Sequence, residues 1–335
     1  MIIYNNFLLL YKILFFFFTI IKRVYNFSPF FLIIRLKGYI EMHLEPECIP
    51  CLFNQVLRAF QLLKPNISRE IILDTQKKLM DYLVSFDIEK RASPIIGKVA
   101  YNLVAEALGV NDPYASIKKQ YNQLALQFYD EARKIVNDAE DPLFEAIIVA
   151  ALGNTIDLGT NHKIDFINDI KNFTPDNLAI NDYKTFKQSL QETNHLLILL
   201  DNAGEIVFDK ILVETMLKTF PELEIICSVR SAPIINDATL NDAKFVGLTD
   251  LVQVIEASGT PGIDLTTTTE EFKKHFFLKD GVILSKGQGN FESLYRMEIP
   301  DKDVYYLLKV KCLLMERLFS VKEGNIIFKR KTANF

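Results

Sequence analysis

An acid, an amide and a second acid occur within five positions, Asp201-Asn202-Ala203-Gly204-Glu205, directly after an apolar run at 196–200. Such oxygen donors suit a hard cation, and a hard cation suits a phosphate. The apolar run is typical of a buried parallel strand. After the cluster, Ile206, Val213, Leu217 and Phe220 fall on one helical face and Lys210, Glu214 and Lys218 on another. The cluster therefore sits where a strand ends and a helix starts, the edge at which open α/β sheets bind ligands. Taken alone, Asp201 and Asn202 are better explained as an Asx turn that caps the helix.

A second acid lies at an equivalent place. The run 224–229 ends at Arg230, and Pro233-Ile-Ile-Asn-Asp237-Ala-Thr follows. If the two strands are neighbours, Asp237 faces Asp201 across the crevice. Two carboxylates and an amide oxygen then give three ligands and leave positions for water and phosphate. Ser285-Lys286-Gly287-Gln288-Gly289-Asn290 follows a third run, 282–284. Its glycines let backbone amides approach an anion, and Lys286 adds a point charge. The spacing is not that of a P-loop, and a glycine-rich turn with a solvated lysine is the other reading.

Gly153-Asn154-Thr-Ile-Asp157 ends a helix. Asn154 and Asp157 are either turn residues or part of a ligand pocket seen from the helical side. The loop 258–264 is either a cover for substrate or a connection. Cys48-Ile-Pro-Cys51 opens the first helix, but no second pair completes a zinc quartet and no strand precedes it as in a thioredoxin. A structural or redox-sensitive role is expected of it. His162, His195 and His275 have no triad-like company and receive no role.

These residues are positioned by two kinds of pattern. From about 47 to 189 the chain reads as helical: Leu52, Val56, Phe60 and Leu63 are in helical register, and further helices are predicted over 71–86, 93–108, 112–137 and 141–153. Residues 176–187 read as a hinge. From His195, short apolar runs at 196–200, 224–229, 251–255, 282–284 and 304–308 alternate with amphipathic stretches, the pattern of a mainly parallel, helix-flanked sheet. The expected fold class is thus α/β, with a Rossmann-like sheet domain over 191–335 after a helical domain over 42–190.

The 335 residues suffice for one large or two smaller domains, and 49% hydrophobic residues supply a core. A net charge of −4 without a basic tract argues against a nucleic-acid partner. Four cysteines are too few for a disulfide scaffold and point to a reducing, cytoplasmic setting. Residues 7–21 are apolar except Tyr11, Lys12 and Thr19, shorter than the roughly 20 residues of a spanning helix. No clear cleavage site follows. Residues 1–41 are read as an atypical hydrophobic extension upstream of a natural start at Met42, with a membrane anchor as the alternative. No membrane partner is expected otherwise, and no oligomeric state is indicated.

Together, Cys48-x-Pro-Cys51, Gly153-Asn154-x-Ile-Asp157, Asp201-Asn202-x-Gly-Glu205, Arg230 with Pro233-x-x-Asn236-Asp237-Ala-Thr239, and Lys286-Gly-x-Gly-Asn290-Phe-Glu292 resemble the damage-control phosphatase family, catalogued earlier as domain of unknown function 89. The pieces occur in family order over about 42–325, and the Cys-x-x-Cys resembles the stand-alone microbial branch. The resemblance implies a helical domain on a Rossmann-like domain and hydrolysis of small phosphate esters. It also implies a divalent metal at Asp201, Asn202 and Asp237. The expected enzyme is a metal-dependent phosphatase acting on a small phosphorylated metabolite with Mg²⁺, Mn²⁺, Co²⁺ or Ni²⁺. Lys286 and the amides around Gly287 and Asn290 would offset phosphoryl charge, Glu205 would orient water or act as base, and Asn154 and Asp157 would contact the rest of the substrate. Attack by water is preferred to attack by Asp201, because haloacid-dehalogenase enzymes use Asp-x-Asp and Ala203 replaces the second aspartate. Two rival classes are an S-adenosylmethionine-dependent methyltransferase, which needs a more glycine-rich loop than 201–205, and a non-catalytic protein that binds a phospho-ligand or metal.

Overall fold

The computed structural model describes residues 44–85, 93–153, 166–174, 177–295, 297–299 and 302–332. The N-terminal extension and Asn154, Asp157 and His162 lie outside the described residues. The chain from Glu41 onward forms one compact unit. Among the described residues, no helix is long and apolar enough to cross a membrane.

Among the described residues seven helices come first: α1 (Cys48–Leu63), α2 (Arg69–Ser85), α3 (Ser93–Leu108), α4 (Ala115–Leu126), α5 (Tyr129–Asp138), α6 (Pro142–Leu152) and α7 (Phe166–Asn172). The stretch read as one helix over 112–137 is two. The Gln127 and Phe128 amides bond back only three residues, to Leu124 and Ala125, and this tightened turn ends α4. Asp141 caps α6 as its sequence suggests, accepting from the Phe144 amide with Pro142 at the first position.

The sheet region alternates as expected: β2 (His195–Leu199), α9 (Glu205–Thr219), β3 (Glu224–Val229), α10 (Leu240–Phe245), β4 (Gln253–Glu256), α11 (Glu270–Phe276), β5 (Val282–Lys286), α12 (Gln288–Leu294), β6 (Asp303–Lys309), α13 (Leu313–Phe319) and β7 (Ile326–Arg330). Preceding it, β1 (Leu178–Asn181) and α8 (Tyr183–Glu192) occupy the stretch read as a hinge. The sheet order is β1-β7-β6-β5-β2-β3-β4. Pairing is parallel except between β6 and β7. The edge pair β1 and β7 was not foreseen: both runs are short, and β1 exists by pairing with a segment at the far end of the chain.

β2 lies between β3 and β5, so the winding reverses at β2, a topological switch point. Alternation along β2 buries both faces. Leu196, Ile198 and Leu200 join one apolar cluster with α6 and α9, while Leu197 and Leu199 join a second with α11, α12 and α13. A third cluster, of Leu52, Val56, Phe60, Leu79, Ile96 and Val104, is the core of the helical cap over the sheet's edge. Ile234, from the loop after β3, belongs to that cap cluster, so the cap's packing holds a loop of the sheet domain.

His195 and His275 meet at the opposite end of β2, their rings stacked and His195 Nε2 3.0 Å from His275 Nδ1. Burial, Lys302 and His275 push the His195 imidazole down to about 4. Between the ordinary histidine value of about 6.5 and that value, the unfolded chain holds a proton that the folded chain does not. The stability is therefore present above that window and is lost as pH falls through it. His195→Gln is expected to flatten this acid limb when urea-unfolding free energy is followed against pH, and an unaltered slope would refute the assignment.

Candidate active site

Register brings the predicted residues to one place. Leu199 pairs with Ser228 on one side and Ser285 on the other. Two residues on, Asp201, Arg230 and Gly287 therefore leave the sheet at the same level. The two acidic loops are zipped by backbone bonds: Ala203 N–H donates to Asn236 O at 2.9 Å and Ala238 N–H to Asp201 O at 2.8 Å, an antiparallel bridge of Asn202 with Asp237. Ile235 within this loop has φ of 44°, a left-handed conformation that a β-branched residue rarely adopts. Its neighbours hold it there, Ile234 in the cap core and Asn236 through the bridge.

Arg230 is fully buried between the two carboxylates. Its Nε donates to Asp237 Oδ2 at 2.6 Å, and its Nη2 lies 3.7 Å from Asp201 Oδ1. Its remaining donors reach Asn290 Oδ1 at 2.8 Å, Gly262 O at 3.3 Å and Pro261 O at 3.2 Å. The expected meeting of Asp201 and Asp237 is thus mediated by a residue the motif contained but to which the sequence reading gave no role.

Asn202 links this pair to a second. Its Nδ2 donates to Asp201 Oδ2 at 2.7 Å and to Glu205 Oε2 at 3.5 Å. That orientation leaves its Oδ1 accepting no hydrogen bond among the described residues. Glu205 Oε1 lies 2.5 Å from Lys286 Nζ, which also bonds Asp209 and, at 3.0 Å, the Ala150 carbonyl of α6. Lys286 has no exposed surface, and three acceptors surround its three protons. Asn290 is equally enclosed. Its Nδ2 holds the Leu200 and Lys286 carbonyls at 3.1 and 2.9 Å.

The enclosed charges that join in this way are four carboxylates, of Asp201, Glu205, Asp209 and Asp237, and two cations, of Arg230 and Lys286. Burial dominates the titration of these acids. Burial, with Asp237 and Glu205 nearby, raises Asp201 to about 8, and burial raises Asp237 as well. Burial also raises Asp209 to about 7, against the opposing pull of Lys286. Burial disfavours charge on Lys286, but Asp209 and Glu205 outweigh it and hold the ammonium above its usual range.

A cavity of about 330 Å³ opens beside these groups. Asn202, Ala203 and Glu205 form one wall, with Ile235 and Asn236 alongside. Val56 and Ala59 of α1, Ala100, Tyr101 and Val104 of α3, and Tyr121 of α4 form the facing wall, and Arg58 and Lys311 also border it. Asp201, Lys286 and Asn290 are not part of the lining. Among the described residues no group of three or more His, Cys, Asp or Glu side chains is arranged for a metal; the set at this site is two carboxylates and one amide oxygen. Cys48 and Cys51 open α1, the first half-buried and the second exposed.

Asp209, Lys311 and Arg230 are site residues for which the sequence reading had no role. Asp209 had a signal: it lies one helical turn after Glu205, on a face otherwise apolar. Gly287 has φ of 79°, and a Cβ there would collide with the Asp201 carboxylate. Gly287→Ala is expected to lower stability by about 1–3 kcal/mol and to displace Asp201. Lys286→Ala strands two buried carboxylates and is expected to lower stability by about 3–5 kcal/mol. Chemical denaturation of both variants beside the parent chain measures these losses.

Residues 44–327 match the family model described as the damage-control phosphatase ARMT1-like domain. A damage-control phosphatase of Pyrococcus horikoshii is 31% identical over 86% of this chain and 98% of its own length, and one of Archaeoglobus fulgidus is 30% identical over 86% and 99%. An uncharacterised protein of Methanocaldococcus jannaschii is 32% identical over 89% and 99%. The crystal structure of a DUF89 family protein from Pyrococcus horikoshii superposes with a TM-score of 0.77 at 28% identity, covering 87% of this chain and all of that one. With the loops of β2, β3 and β5 arranged around Arg230, and with a family model matched over most of its length, the chain belongs to the damage-control phosphatase family.

Proposed function

We propose that this chain is a metal-dependent phosphatase that hydrolyses a phosphate monoester of a small metabolite. The observation that carries the reading is the enclosed negative excess at the switch point, with Asn202 Oδ1 left open beside it. Two carboxylates, an amide oxygen and two surplus negative charges match a divalent hard cation in donor type and in charge. Asp201, Asn202 and Asp237 would hold it. When bound, such an ion supplies Lewis-acid polarisation of a phosphoryl oxygen and acidification of a water. Mg²⁺, Mn²⁺, Co²⁺ and Ni²⁺ all accept this donor set.

The chain's own residues do the rest. Arg230 fixes the spacing of the two aspartates. Glu205 stands in the cavity wall, and Lys286 holds it by one oxygen, so that Oε2 is the oxygen able to take a proton from attacking water. Lys286 acts through Glu205 in this reading, because its own donors are occupied. Asp201 is unsuited to attack phosphorus directly: Asn202 and Arg230 engage its carboxylate, Gly287 backs it, and it does not border the cavity. Arg58 and Lys311 give the cavity positive charge that draws an anionic substrate. The apolar and tyrosine-rich wall of the cap receives the alcohol part of the ester. Asn154 and Asp157 follow Gly153, which lines the cavity, and the family motif makes them contacts to that part.

Phosphate release over a panel of phosphometabolites, with each metal in turn and with EDTA, tests the reading. EDTA is expected to abolish turnover and a divalent ion to restore it. Asp201→Ala is expected to lower kcat by about 100-fold or more, the several kcal/mol that metal polarisation supplies. Full activity in EDTA, or an Asp201→Ala variant as active as the parent chain, would refute it.

A further inference from the structure

We infer that Asn122, a cap residue outside the cavity, is a positioning residue for the cation site, because its one amide group holds both acidic loops at their proper separation. The inference rests on the reading of Asp201, Asn202 and Asp237 as the cation's ligands.

Asn122 lies on α4 and is 1% exposed. Its Oδ1 accepts from the Gly204 N–H at 2.6 Å, two residues beyond Asn202. Its Nδ2 donates to Asp242 Oδ1 at 2.9 Å, five residues beyond Asp237. The other oxygen of Asp242 accepts from the Thr239 N–H at 2.9 Å and its hydroxyl at 2.7 Å, the capping box that starts α10 immediately after the Asp237 loop. The acceptor half of the amide therefore serves one loop and the donor half the other. The groups it meets force this orientation, since a backbone N–H needs an acceptor and a carboxylate a donor.

Helix α4 is pressed against the first loop at the same point. Gly204 has φ of 82°, and a Cβ on it would come within 3.1 Å of the Tyr121 Cβ. One turn earlier Lys118 is buried, 2.8 Å from Asp112 and 3.9 Å from Asp242, and so anchors the second loop to the cap as well. Asn122 bonds neither the ligands nor the cavity, so its effect on a cation passes through the spacing of the loops. Groups that orient ligands in this indirect way typically change metal affinity by about 10–100-fold when altered.

The chemistry of the pair offers a discriminating test. Asn122→Asp sets one carboxylate against another. Adding Asp242→Asn restores the pattern with the two groups exchanged. The amide now at position 242 donates to the carboxylate now at position 122, which still accepts from the Gly204 N–H, and the amide oxygen at 242 still caps at Thr239. The full chain is stripped with EDTA, and Mn²⁺ binding is titrated by the paramagnetic resonance signal of the free ion. The parent chain is compared with Asn122→Ala, Asn122→Asp and the double variant, and circular dichroism in EDTA follows the fold of each. The single variants are expected to raise the Mn²⁺ dissociation constant by about 10-fold or more, and the double variant to return within about threefold of the parent. Folded single variants that bind like the parent, or a double variant no better than Asn122→Asp, would overturn the inference. If Asn122→Asp does not fold, Asn122→Ala against the parent decides the question. A parent chain that binds no Mn²⁺ overturns the cation reading itself.

Discussion

A buried guanidinium sets the conditions that the rest of the site obeys. Arg230 is buried, and a buried cation is tolerated only when charge and hydrogen bonds both compensate it. Its partners come from three separate segments: Asp237 lies in the loop after β3, the Pro261 and Gly262 carbonyls in the loop after β4, and Asn290 in the helix that follows β5. Asp201, after β2, completes the circle as an ion-pair partner. One side chain thereby requires four strand ends to converge. The convergence sets two carboxylates against one guanidinium, a juxtaposition that their mutual repulsion would otherwise oppose.

The neighbouring ion cluster has the same logic. Lys286, Glu205 and Asp209 form a closed group beneath the cavity wall, tied to α6 through the Ala150 carbonyl. Breaking it would leave charge uncompensated among buried groups, so its members constrain one another. The constraint matters at the one member of the three that borders the cavity: Lys286 and Asn202 orient the Glu205 carboxylate. The cap contributes through packing as well as through the cavity wall. Ile234 in its apolar core and Asn122 against Gly204 attach the helical part to both acidic loops, so cap and sheet edge are parts of one site.

Much of the fold was legible. The strands β2, β3 and β5 are centred on apolar runs because both sheet faces are buried, and their polar residues fall towards the strand ends. Gly204 and the acids after β2 mark the loop because the chain must turn there at positive φ, and the acids are too polar to continue the strand. The edge strand β1 and its neighbour β7 were not legible. Their few residues resemble any short apolar stretch; β1 becomes a strand only by pairing with β7 at the far end of the chain, and β7 by folding back on β6. The interruption between α4 and α5 was equally hidden, for it carries neither proline nor glycine.

For the site, the sequence by itself determined the oxygen donors and their place at strand ends, since apolar runs followed by acids need no partner to be recognised. Only the tertiary structure decided which donors face one another. It placed Arg230 between Asp201 and Asp237, enclosed Lys286 and Asn290 where a solvated lysine or a substrate contact was equally consistent with the motif, and recruited Asn122 from a distant helix. The physical reason is that donor chemistry is a property of each side chain, whereas burial and charge balance are properties of the groups packed around it. Those groups come from segments whose separation along the chain carries no trace of their contact.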